Sequence, residues 1–236
     1  MFTQSIKAAS TALRSLVRSW TTLGLLAVLY GGLLVAGYLF VSTREATITQ
    51  LVITLAAIVV APALFFALQA VSVNYATNTG AKVLLRKTAV DSLRLIVVTV
   101  PVMLLTALAV YGLNQIYSHP TLVIGALFLL VGVVAPLLAI QLWVAASSEG
   151  LRCLLRRAHV VAASAFAPQP LFVYACGVLC FAVAPYLLIF FHVEIERTWL
   201  EVSLLVVRLV VSALLMLIGW VTTVGTLSIL AKQSRC

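Results

Sequence analysis

Apolar residues run along this chain in long blocks, not in alternation. Six stretches, at residues 22–41, 49–71, 95–113, 121–146, 171–191 and 202–230, are long and apolar enough to span a membrane, since a helix needs about 20 such residues to cross the ~30 Å hydrocarbon core. Polar residues collect in the short connections between them, which leaves no room for a soluble domain on either side. The pattern predicts an all-α integral membrane protein of six transmembrane helices, one membrane domain over residues 1–236.

Composition agrees. Only 9% of residues are charged and mean hydropathy is +1.19, whereas soluble domains carry roughly 25% charged residues. The net charge of +9, from 15 Lys and Arg against 6 Asp and Glu, would suggest nucleic acid in a soluble protein. Here the bases flank apolar spans, so anionic lipid headgroups are the expected partner and no nucleic acid is. Lys7, Arg14, Arg18, Lys82, Arg86, Lys87, Arg94, Arg152, Arg156, Arg157, Lys232 and Arg235 fall on one side of the spans, Arg44 and Arg197 on the other. Because Lys and Arg resist translocation, both termini are expected in the cytoplasm of a bacterial inner membrane, multi-pass. The first span, preceded by bases, reads as a retained helix and not as a cleaved leader. The four cysteines form no metal or disulfide framework.

A basic string occurs twice, GAKVLLRKTAV from Gly80 to Val90 and GLRCLLRRAHV from Gly150 to Val160. A third, SIKAASTALRSLVRSW, precedes the first span and sets Lys7, Arg14 and Arg18 on one helical face, with Ile6, Leu13, Leu16 and Val17 opposite. In the Gly150 string Leu154, Leu155, Ala158 and Val161 form the apolar arc. Each string reads as a helix lying in the headgroup layer, with Lys7, Arg14, Arg18, Lys82, Arg86, Lys87, Arg152, Arg156 and Arg157 reaching lipid headgroups. The chain then divides into units at roughly 1–75, 76–146 and 147–236, each a basic interfacial helix followed by a two-helix hairpin. The charge rule acting on every inner loop is an alternative source of the same similarity.

Within the spans, Arg208 is the most informative residue. A charge at a helix centre costs at least ~2.5 kcal/mol on insertion scales, so Arg208 either pairs with Glu194, Glu196 or Glu201, or snorkels to the outer headgroups. The loop HVEIERTWLE holds His192, Glu194, Glu196 and Glu201, but its spacing matches no metal signature and a solvated acidic loop is the simpler reading. Pro62, Pro101, Pro136 and Pro185 lie inside spans. Such kinks can open a cavity, although membrane helices also simply tolerate proline. Gln69 and Gln141 are placed to bond across helices, and Gly24, Gly31, Gly32 and Gly37 give the first span a small-residue contact face.

No nucleotide-binding loop, zinc-protease motif, nucleophile elbow or paired intramembrane carboxylates occur, and no histidine sits mid-span. The sequence therefore points to a non-enzyme without cofactor or metal. The stretch APALFFALQAVSVNYATNTGAKVLLRKTAVDSLRLIVVTVPVMLL resembles the bacterial multi-pass families grouped around the membrane domain of glycerophosphodiester phosphodiesterases. The likeness lies in layout over most of the chain, basic interfacial helices alternating with hairpins, and it implies no functional residues. Two functions are expected from these features: a non-catalytic subunit or scaffold packed against other membrane subunits, or the permease part of a small-molecule or lipid transporter served by a cytoplasmic ATPase. Under both, neutralising Arg86, Lys87, Arg156 and Arg157 weakens correct topology or lipid retention. Unchanged accessibility of both loops to a membrane-impermeant label would contradict that.

Overall fold

The computed structural model describes residues 2–43, 47–76, 81–116, 120–191 and 198–233. Among them there is no strand, and six helical stretches are long and apolar enough to cross a membrane. Helix α1 (Phe2–Arg18) ends at Ser19, whose hydroxyl accepts from the Thr22 amide at 3.3 Å and so starts α2 (Trp20–Ser42). Helix α3 (Ile48–Asn74) opens on a reciprocal capping box, in which Thr47 and Gln50 each accept from the other's backbone amide at 3.3 and 3.0 Å. Helix α4 (Ala81–Ile116) follows, then α5 (Pro120–Leu129) and α6 (Ala135–Glu149), α7 (Leu151–Ala165), α8 (Pro168–Val178), α9 (Ala184–Phe190) and α10 (Thr198–Gln233). Helices α5 and α6 make one span and α8 and α9 another, each pair continuous through a π turn, at Leu130–Val134 and Leu179–Val183.

The three basic strings do not fold alike. At Gly150 the backbone takes φ +79, which glycine alone adopts freely, so α6 stops and α7 starts afresh. Helix α7 ends just before Pro168 and Pro170, as α1 ends at Ser19. Nothing comparable follows the second string: from Ala81 to Val100 the chain carries no Gly or Pro, and the string runs straight into the third span as the first turns of α4. Gly80 itself and the Lys82 side chain lie outside the described residues. A separate basic helix thus precedes the first and fifth spans, and none precedes the third.

Helix α1 has three faces where its sequence suggested two. Lys7, Arg14 and Arg18 are exposed on one side and Ile6, Leu13 and Val17 on another, but Ser5, Ala8, Ala12 and Leu16 are buried against the bundle, chiefly on α10. Leu16, expected on the lipid side, is therefore a core residue at 2% exposure. In α7, Leu154 and Val161 pack inward on α6, whereas Leu155 is 78% exposed on the lipid side.

Prolines shape two of the spans. Pro136 has no N–H for the Gly132 carbonyl, and the chain answers in two ways: Ala135 reaches five residues back to Leu130, and the Tyr174 hydroxyl donates to Gly132 O at 2.7 Å. Ala184 likewise reaches back to Leu179 ahead of Pro185. Both π turns run into the tripeptide Val-Ala-Pro, at 134–136 and 183–185.

Burial is uneven along the bundle axis. Buried side chains gather at the end that carries the basic helices: Leu68 to Tyr75, Leu95 to Thr99, Leu137 to Ala146 and Val221 to Leu230. The opposite halves of the same helices are largely exposed. Lipid tails are as apolar as leucine, so membrane helices associate where small residues let backbones close and where polar groups bond across. Helix α10 does this at the basic end. Tyr75 lies over Gly225 and donates to Val221 O at 3.3 Å, Thr223 fills the space over Gly177, and a methyl on Gly219 would meet Phe181 Cβ at 3.0 Å and its backbone nitrogen at 3.1 Å. The expected glycine face of α2 is mostly open: only Gly32 meets a neighbour, Leu64 Cδ1 at 3.1 Å, and Gly24, Gly31 and Gly37 face nothing within 4 Å. Gly219→Ala is accordingly expected to destabilise the protein by about 1–3 kcal/mol, while Gly31→Ala changes stability by no more than about 0.5 kcal/mol. Thermal unfolding in detergent checks the pair, and equal effects would refute this packing.

Candidate functional site

Where the bundle loosens, a cleft of about 810 Å³ opens between α4 and the rest, within the ~300–1,000 Å³ of small-molecule sites. It is an open groove, and its walls are nearly all apolar. Leu33, Phe65, Val102, Met103, Ala107, Val110, Val131, Met216 and Leu217 supply most of them, and the kinked spans contribute Ala135, Pro136 and Phe181. Along α4 it extends from Thr99 to Asn114, roughly 22 Å at 1.5 Å per residue. That is more than one leaflet's share of the hydrocarbon core.

Its two ends differ from its walls. At the deep end Trp143 Nε1 donates to Thr99 Oγ1 at 2.8 Å, which passes its own proton to Leu95 O at 2.6 Å. Beside it Trp220 Nε1 donates to Gln69 Oε1 at 2.8 Å. These bonds tie α4 to α6 and α3 to α10, and Trp220 stacks edge-on against Phe181 at 5.2 Å. At the other end stand Tyr111, 65% exposed, and Asn114. The cleft thus has a floor whose polar groups are already satisfied and a mouth that offers a phenol and an amide.

Below the floor, toward the basic end, a buried carboxylate locks α3 to α4. Asp91, 3% exposed, accepts from Asn74 Nδ2 at 2.8 Å and from Arg94 Nη1 at 3.2 Å, and Asn74 also donates to Ala70 O at 3.0 Å. A buried carboxylate needs such partners to offset its desolvation. Sequence reading passed over Asp91 because it counted bases by loop; the signal available was an acid three residues before Arg94 at the edge of a span.

Arg208 is tied to the end of the fifth span. Its guanidinium donates to the Phe191 carbonyl, the C-cap of α9, and lies 5.9 Å from the Phe191 ring centre. It therefore caps a neighbouring helix end where cations are favoured. The apolar run from Leu209 to Leu230 is by itself about 33 Å long, enough to cross. Glu201 is exposed in the first turn of α10 and makes no ion pair among the described residues. His192, Glu194 and Glu196 lie outside the described residues.

Of the other expected site residues, Gln69 bridges helices as anticipated and Gln141 is buried at 3% exposure. Arg86, Lys87, Arg152, Arg156 and Arg157 are exposed at the basic end. Among the described residues no group of three His, Cys, Asp or Glu side chains converges on a metal-sized space.

These features define a multi-pass, all-α membrane protein with an apolar cleft between its spans. Comparison with family models, curated proteins and solved structures finds no match to the chain.

Replacing Asp91 by Ala removes the acceptor that Asn74 and Arg94 share, and is expected to lower stability by roughly 1–3 kcal/mol. Unfolding in detergent with the midpoint unmoved would show that the buried carboxylate does not hold α3 to α4.

Proposed function

We propose that this protein is a non-catalytic, lipid-handling module of a bacterial cytoplasmic membrane, a permease-like component that takes the hydrocarbon part of an amphiphile into the cleft beside α4. The observation that carries this reading is the cleft itself, about 810 Å³ and apolar along its walls, with Tyr111 and Asn114 at one end. A lipid tail gains little by leaving other tails for an apolar groove. Selection then falls to the mouth, where Tyr111 and Asn114 meet the polar part of the ligand. With both termini and the basic helices in the cytoplasm, the mouth faces the outer leaflet, and the exposed bases of α1 and α7 hold anionic lipids of the inner one. The surface of α7 and the first turns of α4 offer a cytoplasmic ATPase a place to dock.

A second reading, a scaffold subunit of a larger membrane complex, draws on α5, which packs mainly against α4 and leaves much of its surface open. In that case an apolar helix of another subunit fills the cleft.

The two part on one experiment. A photoactivatable lipid carrying its reactive group mid-tail is expected to label the walls of the cleft in native membranes, and Ala107→Trp, which fills the cleft from an exposed position on α4, reduces labelling at least about tenfold while the protein still folds. That factor corresponds to about 1.4 kcal/mol of binding. Labelling spread evenly over all lipid-facing helices, or unaffected by Ala107→Trp, would defeat the lipid reading. Cross-linking of the same wall to a stoichiometric protein subunit would establish the scaffold.

A further inference from the structure

The apolar walls of the cleft are rich in rings. Six of the 22 described residues that line it are aromatic, whereas aromatic residues make up 9% of the chain. Each of the six spans supplies one of them: Tyr30, Phe65, Tyr111, Trp143, Phe181 and Trp220. Met103 and Met216, the two methionines inside spans, line it as well. We propose that the occupant of the cleft is an unsaturated isoprenoid chain, held by contacts between its double bonds and these six rings. The proposal rests on the lipid-handling reading above and names the class of lipid.

A saturated tail makes much the same contacts in an apolar groove as among other tails, so it has little reason to leave the bilayer. Rings change that comparison. An aromatic face is electron-rich and its edge electron-poor, and saturated lipid tails offer neither. Hydrogens on and beside a carbon–carbon double bond are more positively polarised than those of an alkane, and the double bond itself is more polarisable. Both kinds of contact with a ring therefore exceed what neighbouring tails provide. Thioether sulfur adds a further polarisable surface. Selection thus extends from the mouth of the cleft to its walls.

Placement of the rings separates a chain from a ring-bearing headgroup. Trp143, bonded to Thr99, marks the floor, with Trp220 beside it. Phe65 stands 6.4 Å from Trp143 and Phe181 stands 5.2 Å from Trp220, both edge-on. Tyr111 lies at the other end, twelve residues along α4 from Thr99, or about 18 Å at 1.5 Å per residue. One aromatic headgroup cannot meet rings so far apart. An isoprenoid chain carries a double bond in every unit and can meet them all. The tryptophan N–H groups at the floor are already bonded to Thr99 and Gln69, so this end presents ring carbon and needs no polar partner on the tail.

The test uses the full chain in phosphatidylcholine nanodiscs, with the mid-tail photoactivatable lipid reporting occupancy of the cleft. Geranylgeranyl phosphate and phytanyl phosphate share chain length, branching and headgroup, but the second has no double bonds. The first is expected to displace the label at a concentration at least about tenfold lower than the second. Phe65→Leu and Tyr30→Leu, which remove a ring and keep an apolar side chain, are each expected to narrow that ratio at least about threefold. A variant that only loosens the fold shifts both competitors together and leaves the ratio where it was. An unchanged ratio in both variants therefore overturns the proposal. Equal displacement by the two lipids from wild-type protein overturns it as well, and leaves the cleft as a site for any hydrocarbon chain. A cleft that the reporter does not label at all defeats the lipid reading, and this proposal falls with it.

Discussion

The close approach of backbones along the second half of α10 governs this structure. Tyr75 lies over Gly225, Thr223 over Gly177 and Phe181 over Gly219, so α3 and the fifth span sit nearer to α10 than any side chain larger than hydrogen permits. In hydrocarbon the hydrophobic effect does not pull helices together, and association rests on contact and on polar groups that find partners. The basic end has both: small residues in register, and the bonds of Tyr75, Gln69, Thr99 and Asp91 that tie α10, α3, α4 and α6 to one another. The other end has fewer such ties, Arg208 on the end of α9 and Gly32 against Leu64 among them, and most of its side chains are exposed.

The cleft lies in the less buried half of the bundle, and the π-turn regions around Pro136 and Phe181 place residues of the fourth and fifth spans in its wall. A π turn shifts the helix face while keeping most backbone bonds, and the Tyr174 hydroxyl covers the carbonyl that Pro136 leaves at Gly132. The carbonyl that Pro136 frees is therefore paired, where an unpaired one in hydrocarbon would cost several kcal/mol. The molecule divides along its axis into a buried, polar-bonded base and a more exposed apolar half that holds the cleft.

The spans and the basic asymmetry were legible in the sequence, because the length of an apolar run and the location of a charge are properties of consecutive residues. Helix starts were legible in part: Ser19 and the Thr47–Gln50 box are local signals. Gln69 could be assigned to packing because an amide inside a span has few other uses. The interfacial helices were legible where a breaker follows them, as Pro168 follows α7. The second string showed the same basic pattern and still joined α4, because nothing downstream of it stops a helix.

What only the tertiary structure decided concerns partners. Gly31 and Gly219 look equally small in sequence, yet one faces open space and the other the backbone of Phe181, since a notch exists only when a second helix enters it. Arg208 sits well inside an apolar run, but that run is longer than the membrane is thick, and its register is set by the end of α9 against which Arg208 bonds. Asp91 is unremarkable as a residue near a helix start, and becomes a buried lock only because α3 and α4 meet there. The sequence by itself determined which segments cross and which side is basic, for those depend on transfer free energies that add residue by residue along the chain. Which faces meet depends on shape and on pairing between residues far apart in the chain, and that was settled only when the helices packed.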